Sequence, residues 1–255
     1  MKDFGGKNVL ITGASKGLGA VCAGEFARAG ARLALVARSG ELLDAVKAAC
    51  ERKGEHICIQ ADFLNPGEAG SAAEKAVEHF GDIDVIIHSA GGGLGLRDPL
   101  LSAVDFDKLI SLNLKSCVEI NKVLLPKMME RKKGNVVHIG SITSTQAIGS
   151  VGYNTSKAAL AAYVRSLGRE VVVSGVVVTG ILPGGFMAPG NAMARLEKNN
   201  PEAYGKFVNE RLPRRFMGRA EELVPMVMML SSSEASMMGG CMVPIDAGEG
   251  LDYTA

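Results

Sequence analysis

Thr12-Gly13-Ala14-Ser15-Lys16-Gly17-Leu18-Gly19 stands between a short apolar run, Val9 to Thr12, and a helical pattern running from Gly17 to Ala29. A strand that turns on glycine straight into a helix presents free backbone N–H groups at the helix start, where the dipole and the open amides favour a phosphate. Each glycine has a separate task. Gly13 permits the tight turn, Gly17 lets a phosphate approach the backbone, and Gly19 lets the helix pack on the sheet.

Outward from this turn, aliphatic runs alternate with longer helical patterns, the signature of βαβ units. Candidate strands are Val9 to Thr12, Arg32 to Ala37, His56 to Gln60, Val85 to Ser89, Asn135 to Ser141, Val176 to Ile181 and Met242 to Ile245. Candidate helices are Gly17 to Ala29, Glu41 to Lys53, Gly67 to Phe80, Ala103 to Arg131, Tyr153 to Val171 and Ala220 to Ser231. Val85-Ile86-Ile87 and Val176-Val177-Val178 are continuously apolar, as expected of strands covered on both faces. The expected fold is α/β, a Rossmann-type doubly wound, seven-stranded parallel sheet with helices on both faces, forming a single domain over residues 1–255. Gly185 to Met217, with Pro189, Gly190, Pro201 and Pro213 around short helical pieces, breaks the rhythm and is read as a substrate lid.

With 255 residues, 47% of them hydrophobic, the chain suits one α/β core. A formal charge of +1 gives no field that would draw it to nucleic acid or to an anionic membrane. No stretch approaches the roughly 20 apolar residues of a bilayer span, and Lys7 leads into Val9 to Ile11 without a signal-peptide pattern. The expectation is a cytoplasmic protein with a small-molecule partner. Cys22, Cys50, Cys58, Cys117 and Cys241 form no CxxC pair, and His56, His79, His88 and His138 are scattered, so buried free thiols and no metal are expected.

The TGxxxGxG spacing resembles the short-chain dehydrogenase/reductase family. So do His88-Ser89-Ala90-Gly91, in place of that family's Asn-Asn-Ala-Gly, then Asn113, Ser141, Tyr153-x-x-x-Lys157 and Pro183-Gly184, in family order along essentially the whole chain. The resemblance implies hydride transfer between a nicotinamide and a carbonyl or secondary alcohol. Such a reaction needs a hydroxyl acid beside the developing alkoxide. Tyr153 and Lys157, four apart on one helix face, suit it. Moving a phenol from about 10 toward neutrality takes roughly three units, about 4 kcal/mol, and an ammonium about 4 Å away at an effective dielectric of about 20 supplies that. Ser141 can hold the substrate oxygen. The resemblance gives Lys157 a bond to the nicotinamide ribose, and gives Asn113 a water that relays protons to Lys157.

For the cofactor, Ala37 stands where members preferring NAD(H) carry an acid, and Arg38 follows it. With Lys16, Arg38 can bind a 2′-phosphate, so NADP(H) is expected over NAD(H). The rest of the expected cofactor contacts are Gly13, Ser15, Gly17, Leu18 and Gly19 on the pyrophosphate side, Asp62 and Phe63 near adenine, Ser89, Ala90 and Gly91 on the adenosine side, Asn113, Tyr153 and Lys157 near the nicotinamide, and Pro183 with Gly184 behind it. The chain departs from the family at Gly185-Phe186-Met187-Ala188-Pro189, where a carboxamide-binding threonine is common. Arg195, Lys198, Lys206, Arg211, Arg214 and Arg215 in the lid suggest an anionic substrate. A general carbonyl or sugar-type reductase ranks ahead of a 3-oxoacyl carrier-protein reductase, which Arg131-Lys132-Lys133 would suit, and of a non-catalytic NADP(H)-binding protein. The resemblance also implies a homodimer or homotetramer, consistent with apolar Ala158 to Val164 and Met237 to Val243.

Overall fold

The computed structural model describes residues 3–252. The first half alternates strictly: β1 (Asn8–Thr12), α1 (Gly17–Arg28), β2 (Arg32–Ala37), α2 (Gly40–Ala49), β3 (Ile57–Gln60), α3 (Glu68–Phe80) and β4 (Val85–His88). Then come α4 (Ala103–Ile110), a π-helical turn at Ser111–Lys115, α5 (Ser116–Glu130), β5 (Gly134–Ile139), α6 (Val151–Val171) and β6 (Val176–Pro183). The remainder holds β7 (Phe186–Met187), α7 (Ala192–Asn199), α8 (Pro201–Arg211), β8 (Gly218–Arg219), α9 (Val224–Leu230) and β9 (Met242–Ile245).

Seven strands form one parallel sheet in the order β3-β2-β1-β4-β5-β6-β9. The order reverses between β1 and β4, and at such a reversal open sheets bind ligands beyond their carboxyl ends. Successive strand residues point to opposite faces, so Val9 and Ile11 pack with Phe26, Leu43 and Val227 on one side. Leu10 and Ile86 pack with Ala73, Ile120 and Leu160 on the other. Both faces are covered, which explains why these strands read as unbroken apolar runs. The fold is the expected doubly wound one.

The differences are local. The run expected as one helix from Ala103 to Arg131 keeps its direction but widens into the π turn at its middle. The segment 185–217 contains two real helices and contributes β7 to a separate two-stranded sheet with β8. Cys22, Cys50 and Cys117 are buried as expected, Cys58 is half-buried, and Cys241 is exposed.

Candidate active site at the carboxyl edge of the sheet

Gly13 and Gly17 both take left-handed backbone angles, φ +65° and +63°. A Cβ on Gly13 would sit 2.8 Å from the Ala90 amide nitrogen, and one on Gly19 would collide with the Gly13 carbonyl. The turn is therefore a cradle that only glycine fits. Lys16 caps α1 in extended conformation without a side-chain bond, and the first turn carries no acid, which leaves the helix end suited to an anion. Ser15 is half-buried within the turn and Leu18 is buried beneath it. The Gly17 amide donates to the Pro189 carbonyl at 3.1 Å.

Lys16 and Arg38 are exposed, and among the described residues neither pairs with a carboxylate. Asp62 accepts from the Leu64 amide at 3.1 Å through Oδ1 and donates its own amide to Glu68 Oε2 at 2.6 Å. Phe63 is packed into the core. Ser89 and Ala90 donate their amides to Thr12 Oγ1 at 3.1 and 3.0 Å, which fastens the end of β4 to the end of β1.

Asn113 lies buried in the π turn and grips the loop after β4 at two points. Its Oδ1 accepts from the Gly92 amide at 2.9 Å, and its Nδ2 donates to the Gly92 carbonyl at 3.0 Å and to the Leu109 carbonyl at 2.9 Å. The widened turn is what lets the side chain reach out of its helix. A Cβ on Gly91 would lie 2.8 Å from Asn113 Oδ1 and 3.2 Å from Lys157 Nζ, so the Gly91 backbone wedges between these side chains. Lys157 is buried and donates to the Ile139 carbonyl at 2.8 Å, with Nζ 5.8 Å from the centre of the Tyr153 ring.

Ser141 lies two residues beyond β5, its Oγ accepting from the Thr143 amide at 3.2 Å. Burial pushes the Tyr153 phenol up, opposed by a hydrogen bond from Ser141. Burial likewise pushes the Lys157 amine down, to about 8, opposed by Cys117. In this arrangement the amine bonds the Ile139 carbonyl, and desolvation is the first cause of the shift in both groups. Tyr153 thus holds its proton near neutrality. Gly184, after the Pro183 end of β6, donates to the Ile245 carbonyl at 3.2 Å.

The short chain dehydrogenase family matches residues 7–199, well over half of the chain. The chain is a short-chain dehydrogenase. As such it is an oxidoreductase acting on CH–OH or C=O groups. Oxidoreductase UcpA of Escherichia coli K12 is 32% identical over 265 residues, spanning 100% of this dehydrogenase and 98% of its own length. Levodione reductase of Leifsonia aquatica is 32% identical over 259 residues, 98% of this chain and 96% of its own. Among solved structures, a 3-oxoacyl (acyl-carrier-protein) reductase from Agrobacterium tumefaciens C58 with NADP bound superposes with a TM-score of 0.89 at 27% identity, covering 96% of this chain and 95% of that one.

Three contacts of the dehydrogenase went unread in the sequence. Thr12 acts through backbone partners distant in the chain, and Gly92 through the distant Asn113 side chain. Glu249 is buried, accepts from the Gly185 amide at 2.5 Å and pairs with Arg211 at 3.1 Å, tying α8 to the chain just past Gly184. An acid just beyond the last strand, on the edge that carries the site, was the available signal. The cations of the segment 185–217 are partly spent: Arg211 on Glu249, Arg214 on Glu222 at 2.9 Å, and Arg195 on the Gly190 carbonyl at 2.5 Å. Arg131 sits at the opposite edge, bonded to the Ile83 carbonyl at 2.6 Å and near Asp82 and Asp84. β5 separates it from Ser141 by about 20 Å, at about 3.3 Å per residue. Two of the four histidines, scattered along the chain, meet in space, since His88 and His138 stack on each other.

Proposed function

We propose that this dehydrogenase exchanges a hydride between NADP(H) and a carbonyl or secondary alcohol, with Tyr153 as general acid in reduction and general base in oxidation. The observation that carries the reading is the grouping of Ser141, Tyr153 and Lys157 against the Gly91 to Gly93 backbone, on the same sheet edge as the glycine cradle.

The cradle fits a dinucleotide: the Gly13 to Gly19 turn, including Ser15 and Leu18, would take the pyrophosphate, and Lys16 with Arg38 a 2′-phosphate. Asp62 and the Phe63 backbone would border adenine, Ser89, Ala90 and Gly91 the adenosine side, and Pro183 with Gly184 the nicotinamide. That nicotinamide supplies or accepts the hydride when bound. The chain's own residues do the rest. Ser141 orients the substrate oxygen. Tyr153, kept protonated by burial, hands its proton to that oxygen as negative charge develops there. Lys157 would hold the ribose, balance the phenolate and restore the proton that Tyr153 gives up, while Asn113 fixes the Gly92 loop and would carry the water that replaces the proton lost by Lys157. The segment 185–217 closes over the substrate as a lid latched by Glu249.

Since several lid cations are already paired, a neutral carbonyl or sugar-type substrate is favoured over an anionic one. The remote position of Arg131 speaks against carrier-protein docking at that cluster. The protein acts in the cytoplasm as a homodimer or homotetramer; exposed Val173 and Met237 suit such contacts, and a light-scattering mass of one chain would end that reading. No described helix is long and apolar enough to cross a membrane. The test is absorbance-monitored oxidation of NADPH and NADH with oxoacyl thioesters, keto acids and keto sugars. Turnover of at least one ketone, faster with NADPH, is expected. Tight NADPH binding without turnover of any of them would replace the proposal with a non-catalytic binder, and faster turnover with NADH would overturn the cofactor assignment.

A further inference from the structure

One polar cluster has no part in the proposed chemistry. His88 ends β4, His138 is the last residue but one of the adjacent β5, and the two are register partners. Their rings stack with centroids 4.4 Å apart and planes 21° apart. Cys117, in the first turn of α5, faces them, and one ligating atom from each of the three residues lies within 4.8 Å of the others. All three side chains are buried, His138 at 0% exposure.

Their hydrogen bonding is incomplete in a directed way. His88 Nε2 lies 2.9 Å from Asn121 Oδ1, and Asn121 Nδ2 donates to the Tyr163 hydroxyl at 3.1 Å. The amide oxygen thus faces His88 as an acceptor, Nε2 carries the proton, and the lone pair is left on Nδ1. That nitrogen, together with both nitrogens of His138, has no partner among the described residues. Cys117 Sγ makes one long contact, 3.8 Å to the Asn113 carbonyl. Leaving a buried polar atom unpaired costs about 1–3 kcal/mol, and three in one place ask for a ligand.

We propose that His88 Nδ1, one ring nitrogen of His138 and Cys117 Sγ form a binding site for a single thiophilic d10 cation, Zn(II) or Cu(I). Two imidazoles and a thiolate select these ions, and the absence of a carboxylate from the cluster disfavours magnesium and calcium. Asn121 is the outer partner that fixes the His88 tautomer, as outer-shell groups do in metal sites. Binding replaces the thiol proton: the ion forms a bond to Cys117 sulfur, one proton leaves, and no redox change occurs. Imidazole lone pairs lie in the ring plane, so the stacked rings must open by rotation about Cβ–Cγ, a broad torsion. The sequence expectation of no metal rested on spacing along the chain, which register between β4 and β5 overrides. The inference does not depend on the NADP(H) reading.

The test uses chelator-stripped full-length protein titrated with Zn(II) or, without oxygen, Cu(I), each against a competing chromophoric chelator, with Co(II) as spectroscopic probe. One ion per chain is expected for the preferred metal, with a thiolate-to-cobalt charge-transfer band. Cys117→Ser should abolish the band, His138→Asn should weaken binding a hundredfold or more, and exposed His79→Asn should change neither. Wild-type loading well below one ion per chain with both metals overturns the proposal even if the variants fold poorly. So does stoichiometric binding that both site variants leave intact.

Discussion

The two edges of the sheet treat their polar groups differently. At the amino edge, most charges and hydrogen bonds close on themselves, with Asn8 Oδ1 and Arg32 Nε as exceptions. Asp84 accepts from the Asn8 amide at 3.0 Å and lies 4.0 Å from Lys7 and 3.9 Å from Arg131. Asn135 donates to the Leu230 and Ser232 carbonyls, and His56 Nδ1 accepts from the Leu33 amide. At the carboxyl edge, Lys16 and Arg38 pair with no carboxylate among the described residues, the amine of Lys157 is buried on a lone carbonyl, and the start of α1 has no side-chain cap. Groups satisfied by one another hold the fold, whereas groups left open converge at the candidate site.

This division can be broken by substitution. The largest effect is expected at Gly13→Ala, the one position tested where the two roles meet. A left-handed angle and a Cβ 2.8 Å from the Ala90 amide nitrogen should lower both melting temperature and NADPH affinity, the latter by about a hundredfold, roughly 2.7 kcal/mol. Titration of fluorescence with NADPH, beside a thermal melt, checks both. Asp84→Asn, at the amino edge, should cost about 1–3 kcal/mol and several degrees in Tm, with kcat/KM unchanged; a matching fall in kcat/KM would erase the distinction between edges. Arg38→Asp should do the opposite, raising the KM for NADPH by about tenfold, roughly 1.4 kcal/mol, at constant Tm.

The smallest effect is one of pH. Burial lowers the pKa of His56 below its ordinary 6.5. The unfolded chain then takes up more protons than the native one as pH falls through that value, so His56 makes stability decline on acidification below about 6.5. His56→Asn should flatten that part of a Tm-against-pH curve. A curve of unchanged slope would show that other groups set it.

How much the sequence disclosed depended on the range of the interaction. The glycine turn, the strands and the Tyr153 and Lys157 pair rest on local pattern, and were legible. The π turn was not, because it exists to bring Asn113 to Gly92, 21 residues away. The stacking of His88 on His138 was hidden for the same reason: the residues are 50 apart and meet only through strand register. The electrostatics of Tyr153 could not be read from an i,i+4 spacing, since the Ile139 carbonyl that holds the lysine comes from another strand. The cations of the segment 185–217 read as a field in the sequence, but Glu249 and Glu222 pair with two of them.

The most direct measurement is turnover and NADPH binding in Tyr153→Phe, assayed side by side with wild type on whichever carbonyl substrate the screen identifies. The account predicts that turnover falls by a factor on the order of 10²–10⁴ while NADPH affinity and melting temperature stay near those of wild type. Turnover close to wild type in the phenylalanine variant would contradict it, because the proton would then come from another group.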